Sequence, residues 1–216
     1  LMVKPLGTLT GASVGGSRTL AVSGDVHNSG SITNDVYYLT LKIGGSLHNA
    51  GNWNNHLTTI TGTNERYISQ DSGFVYATDL QFDDTAAGDL IATTALSING
   101  DAIVTGGRLV LLAACPFTLD NGVFNGLMAA NGNEMRFVGW AYLHSCTLDD
   151  VILVGDLEAA HLVNFTTRVV VMNRMQNGTG GGGAIIHGDL INYGLIRNIN
   201  YGFHLGIHGN LENYGS

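Results

Sequence analysis

SGDVHNSGSITN at residues 23–34 is answered by GGSLHNAGNWNN at 44–55, and HGDLINYGLIRN at 187–198 by HGNLENYGS at 208–216. Gly24 and Gly45 stand at an interval of 21, and Gly188 and Gly209 stand at the same interval. Inside the unit, Val22, Val26 and Ile32 are apolar, and Gly24, Asn28 and Gly30 recur. Short alternation of apolar and polar residues marks a strand with one buried face, and glycine and asparagine mark the bends between strands. A unit of this length cannot enclose a core alone, so it must stack on its own copies. Self-similarity at this period is the sequence mark of repeat architectures.

Stacking places each residue over its counterpart one interval later, at the strand spacing of roughly 4.8 Å. Asn28 then lies over Asn49, His27 over His48, Val26 over Leu47 and Ile32 over Trp53. Near the other end Asn192 lies over Asn213, Tyr193 over Tyr214, His187 over His208 and Ile186 over Ile207. In-register parallel stacking rewards such identities, because amides hydrogen-bond along the stack and rings stack on rings.

The chain has 216 residues, 44% hydrophobic and 12% charged, with 31 glycines. That is enough apolar content for a core, and an elongated β-architecture of nine or ten coils takes in residues 1–216 as one domain, a rod about 45 Å long. A net charge of −8 and no basic stripe argue against nucleic acid as a partner. No apolar run approaches the ~20 residues of a membrane span. Lysine occurs only at Lys4 and Lys42, and a surface of Asn, Thr, Ser and Gly suits an extracellular location. The chain opens on Leu1 without a signal peptide and stops at Ser216 partway through a repeat. It reads as an excerpt whose open end continues into more chain or docks on another copy.

Between the clear repeats the register loosens. LSINGDAIVTGG sets Ile98 and Gly100 at the places of Val22 and Gly24, and VILVGDLEAAHLV repeats the pattern around Gly155. Neither the interval from Gly100 to Gly155 nor that from Gly155 to Gly188 is a multiple of 21, so longer central coils or insertions are expected. NGTGGGG at 177–183 is the expected protruding loop.

Chemistry-bearing residues are few. Asp149 and Asp150 are adjacent, and adjacent strand residues point to opposite faces, so paired acid–base work would need a third carboxylate such as Asp120. No catalytic residues are assigned. His187, His204 and His208 could approach one another, but ladders set side chains in a row rather than around a point, so no metal and no cofactor is expected. Cys115 and Cys146 read as buried thiols; aligning Leu119 with Leu148 brings them near each other and allows a disulfide. The glycine run lacks the lysine and Ser/Thr of a phosphate loop.

The unit at 20–32, 41–53 and 184–196 resembles the Gly-Asp/Asn-Leu-x-Asn-x-Gly repeats of large secreted bacterial surface proteins, namely filamentous-haemagglutinin-like adhesins and long cell-surface proteins of the Bacteroidota. The resemblance implies an all-β, right-handed parallel β-helix whose regular coils keep the interval of 21. It also implies a structural or adhesive role at the cell surface, with no catalytic residues to carry over; the open end of the chain itself adds the expectation of end-to-end self-association or continuation in a longer chain. The competing readings are a glycan-binding or carbohydrate-active β-helix with a groove floored by Trp53, Tyr37, Tyr38 or Trp140, and a phage-type receptor-binding fibre.

Overall fold

The structure is a computed structural model that describes residues 1–11, 16–62, 64–83, 88–199 and 202–216, with the backbone alone at 179 and 180. Among the described residues every regular element is a strand, and every pairing is parallel. The chain winds as a β-solenoid of about nine turns, with three faces per turn.

The first face runs from Arg18–Val22 through Leu39–Ile43, Leu57–Thr61, Asp79–Asp83 and Ala102–Gly106 to Leu195–Arg197. The second runs from Met2–Val3 through Val26–Asn28, Leu47–Asn49, Arg66–Gln70, Asp89–Ala92 and Arg108–Leu111 to Phe203–Ile207. The third starts at Thr8–Thr10, Ser31–Thr33 and Asn52–Asn54. It passes through the bridges Trp53–Tyr76 and Tyr76–Ile98 and continues from Leu96–Asn99 to Leu211–Asn213.

Alternation sorts each strand. In Leu39–Ile43 the leucines and the isoleucine are buried while Thr40 and Lys42 face out, and the same pattern on all three faces feeds one apolar cluster running from Val3 to Leu190. At ~25 cal/mol per Å² of apolar surface, this continuous interior is the main stabilising term. It is also unavailable to any single turn.

Four long strands, Val123–Ala129, Tyr142–Asp149, Asp156–Phe165 and Arg174–Ile186, pass from the first face to the second without a loop. Each bends at one left-handed residue: Gly126 (φ 116°), Ser145 (φ 48°), His161 (φ 59°) and Gly181 (φ 77°). The glycine run is therefore not a loop outside the sheet. Asn177 pairs with Ala159 and Gly182 with His161, so the extra residues form a bulge within a strand, where backbone pairing on either side holds them.

Turn length varies in both directions. The step is 21 from Arg18 to Leu39, 24 from Arg66 to Leu90 and 22 from Ala102 to Phe124. It then falls to 18 from Phe117 to Met135, from Glu134 to Ile152 and from Val151 to Val169, because single-residue corners replace longer turns. Lengthened coils thus precede a shortened middle. Between Gly100 and Gly155 lie three steps, Asn99 to Asp120, Asp120 to Val138 and Arg136 to Val154.

The repeated motif does not keep to one face. Val26–Asn28 is on the second face and Leu190–Asn192 on the third, so Gly24 precedes a second-face strand, Gly188 a third-face strand, and Gly100 and Gly155 first-face strands. The alignment of Gly100 and Gly155 with Gly24 is corrected accordingly. The three corners pose the same local problem, a bend against the turn below, and the same residues solve it at each.

That problem is close approach. A Cβ on Gly122 would overlap the carbonyl oxygen of Gly100, well inside the 3.0 Å that real Cβ contacts keep, and one on Gly45 would lie 2.5 Å from the carbonyl carbon of Gly24. Each clash is with the preceding turn.

Candidate functional site

The ladders are built first from backbone register. Asn28 pairs with Asn49, His27 with His48 and Val26 with Leu47, and Ile32 lies over Trp53. Asn28 Nδ2 donates to Asn49 Oδ1 at 2.9 Å and to the Asn52 carbonyl at 2.9 Å, while the Gly30 amide donates to Asn28 Oδ1 at 3.1 Å. Asn49 repeats this with the Gly51 amide and the Val75 carbonyl. One turn on, Gln70 takes the place, its Nε2 donating to the Phe74 carbonyl and its Oε1 accepting from the Ser97 amide. At the other end Asn192 Nδ2 donates to Asn213 Oδ1 at 2.7 Å. Buried amides here satisfy the corner backbone that the bend leaves unpaired.

The rings follow the same register. Tyr193 and Tyr214 stack at 5.1 Å and 11°, whereas His187 and His208 (5.2 Å) and His27 and His48 (5.8 Å) are tilted. Ile186 pairs with Ile207. His204 pairs with Gly183, three residues before Ile186, so it is not in the His187–His208 row. Among the described residues no three His, Cys, Asp or Glu side chains gather as metal ligands would.

The acidic residues separate. Asp149 ends a second-face strand and accepts from Thr166 Oγ1 (2.8 Å) and Thr167 Oγ1 (2.7 Å), and Asp150 pairs with Arg168 at 2.9 Å. Asp120 ends a third-face strand and accepts from Asn99 and Asn121. The alignment of Asp120 with Asp149 is therefore corrected, and with it the convergence of the three carboxylates.

The same correction removes the disulfide. Leu119 is on the third face and Leu148 on the second, so Cys115 and Cys146 do not align. Cys115 follows the second-face strand Arg108–Leu111, whereas Cys146 pairs with Gly126 at the corner before the second face, so the two lie at different corners of different turns. Both thiols are free and buried. Burial pushes the Cys146 thiol up to about 12.

Of the aromatics proposed to floor a groove, Trp53 is in the core at 1% exposure, its Nε1 donating to Asn55 Oδ1 at 2.8 Å. Tyr38 stacks on His56 at 4.3 Å. Trp140 is 86% exposed. It follows Gly139, whose φ of 63° turns the chain from the third face to the first, and its amide is held by Asn121 Oδ1 at 3.1 Å. Beside it opens a cleft of about 250 Å³ lined by Trp140, Tyr142, Asp156, Glu158, Arg174 and Gln176.

Register fixes the cleft. Tyr142 pairs with Glu158, Glu158 with Gln176 and Gln176 with Arg197, one row of outward side chains on successive turns. Gln176 Nε2 donates to Glu158 Oε1 at 3.1 Å, and Arg197 donates to Gln176 Oε1 at 3.1 Å. In the neighbouring row Arg174 Nη2 reaches Asp156 Oδ2 at 2.5 Å, and Arg174 Nε is buried without a partner. Sequence reasoning found Trp140 but missed these polar residues. Asp156 and Glu158 are answered by Arg174 and Gln176 one shortened turn later, a signal invisible to a search at the longer period of the terminal repeats.

No known protein family, curated protein or solved structure matches this chain, so its fold and its cleft rest on its own residues.

Proposed function

We propose that this chain is a section of an extracellular surface solenoid with a mechanical role, providing reach, stiffness and adhesive contact, and that its terminal turns stack on further solenoid turns. The observation that carries this is the contrast between Leu190 and Leu211. They are partners in register on the third face, yet Leu190 is buried under Leu211, which is 56% exposed. One more turn would bury Leu211 as Leu211 buries Leu190. Phe203, Leu205 and Ile207 on the second face are likewise only partly covered.

At the opposite end Gly24, among the described residues, has open space where its counterpart Gly45 would meet the turn below. Open strand edges with apolar interiors normally pair or are covered. A second copy and a continuation of the same polypeptide offer the same kind of edge.

Negative-stain electron microscopy and sedimentation of the purified chain across a concentration series test this. Rods longer than one solenoid that vanish in Leu211→Glu support it. Rods of a single length at every concentration, together with native material showing no filament or extended rod, overturn it.

A further inference from the structure

We infer that the cleft beside Trp140 binds one neutral pyranose unit of a glycan. This goes beyond axial stacking, because the cleft lies on the side of the solenoid.

Trp140 presents almost its whole indole to solvent, although burying a ring of that size is favourable. A lone exposed aromatic needs no explanation, but this one is the wall of a concave site. Its volume of about 250 Å³ is just under the ~300 Å³ at which pockets for drug-sized ligands begin, which suits a single ring. One flat apolar wall facing a polar floor matches a pyranose, whose C–H face is apolar and whose rim is hydroxyl.

The floor is organised before any ligand arrives. The Glu158–Gln176 and Asp156–Arg174 pairs fix carboxylate, amide and guanidinium groups on successive turns of a sheet, and Arg197, outside the cleft, holds Gln176 from the next turn. Rigid placement of this kind lowers the ordering cost of binding. Carboxylates accept from hydroxyls and guanidinium N–H groups donate to them, so both hydrogen-bonding roles of a sugar hydroxyl are met.

Charge selects among sugars. Within the lining the carboxylates of Asp156 and Glu158 outnumber the guanidinium of Arg174, and the chain as a whole carries −8. A sulfated, phosphorylated or uronic-acid glycan would enter a site with no net positive charge against that field. A neutral glycan avoids the cost.

The two tryptophans allow a direct test, since Trp53 is buried and Trp140 is exposed. The intact chain is screened on a printed array of neutral and acidic glycans, then titrated with cellohexaose, mannohexaose and a β-1,4-galactohexaose. Acrylamide quenching of tryptophan emission is the readout. Binding to a neutral glycan that shields Trp140 from acrylamide is expected. Trp140→Ala, which removes the quenchable indole and is therefore read on the array and by calorimetric titration, should weaken binding at least about tenfold with an unchanged circular dichroism spectrum and thermal midpoint, and Tyr38→Ala, another exposed aromatic, should leave it intact. No array signal, binding confined to acidic glycans, or binding that survives Trp140→Ala would overturn the inference. Because sedimentation reads axial stacking and quenching reads the cleft, failure of one leaves the other standing.

Discussion

Asn28 stands one turn below Asn49, with Nδ2 2.9 Å from Oδ1 and neither side chain in contact with solvent. Each amide joins two turns and also closes its own corner, so the ladder couples winding to stacking. Removing one rung leaves several buried groups unpaired, at about 1–3 kcal/mol for each group left without a partner.

Asn49→Ala strips the acceptor from Asn28 and Gly51 and the donor from the Val75 carbonyl. A loss of about 2–4 kcal/mol is expected from these buried contacts. Asn213→Ala, at an exposed terminal rung, takes the acceptor from a single donor, Asn192 Nδ2, and should cost only about 1 kcal/mol by the same rule. Urea midpoints at constant slope measure both, and equal losses would deny the ladder its role.

Corner glycines give a second contrast. Gly122→Ala drives a methyl into the Gly100 carbonyl oxygen and should destabilise by about 1–3 kcal/mol or prevent folding, as overpacking does. Gly24→Ala meets nothing within 4 Å among the described residues, so the isolated chain should melt at the wild-type temperature. If another turn docks there, the same methyl should shorten or abolish the rods seen by microscopy.

Ser145 holds a φ of 48° at a corner that Gly126 and Gly181 occupy on other turns. An L-residue pays ~1–2 kcal/mol there, partly offset by the extra unfolded-state freedom of glycine. Ser145→Gly should therefore raise stability by about 0.5–1 kcal/mol. A fall in the thermal midpoint would show that the serine side chain makes a compensating contact.

Cys146 links stability to alkaline pH. Its thiol is neutral when protonated, and burial raises it from 9.0 to about 12. Below pH 9 the contribution is fully present. As pH rises the unfolded chain ionises first, and the contribution is lost through about pH 12, amounting to roughly 4 kcal/mol at 1.36 kcal/mol per unit. Cys146→Ala should flatten the pH dependence of the denaturation midpoint in that window. Tyr76, buried and raised well above 10.0, adds a further loss above pH 10 in both proteins. Identical pH profiles for the two proteins would contradict the assignment.

The regular period between Gly24 and Gly45 was legible because identical residues must stack when turns are equal in length. The ladders at Asn28–Asn49 and Asn192–Asn213 follow from that alone. The shortened turns were not legible as such. A corner made by one left-handed residue, such as Ser145 or His161, carries no distinctive sequence mark, since local geometry there is imposed by the turns on either side. For the same reason NGTGGGG reads as a loop but pairs as a bulged strand.

By itself the sequence determined that apolar residues alternate, that bends fall at glycine and asparagine, and that the unit must bury itself against copies of itself. Those are local and periodic properties. The tertiary structure alone decided which face each repeat occupies, that Cys115 and Cys146 lie at different corners, and that Trp140, Glu158, Gln176 and Arg174 share one cleft. The physical reason is that a neighbour in a solenoid is set by the accumulated length of every intervening turn. One shortened corner moves all later residues to a different address.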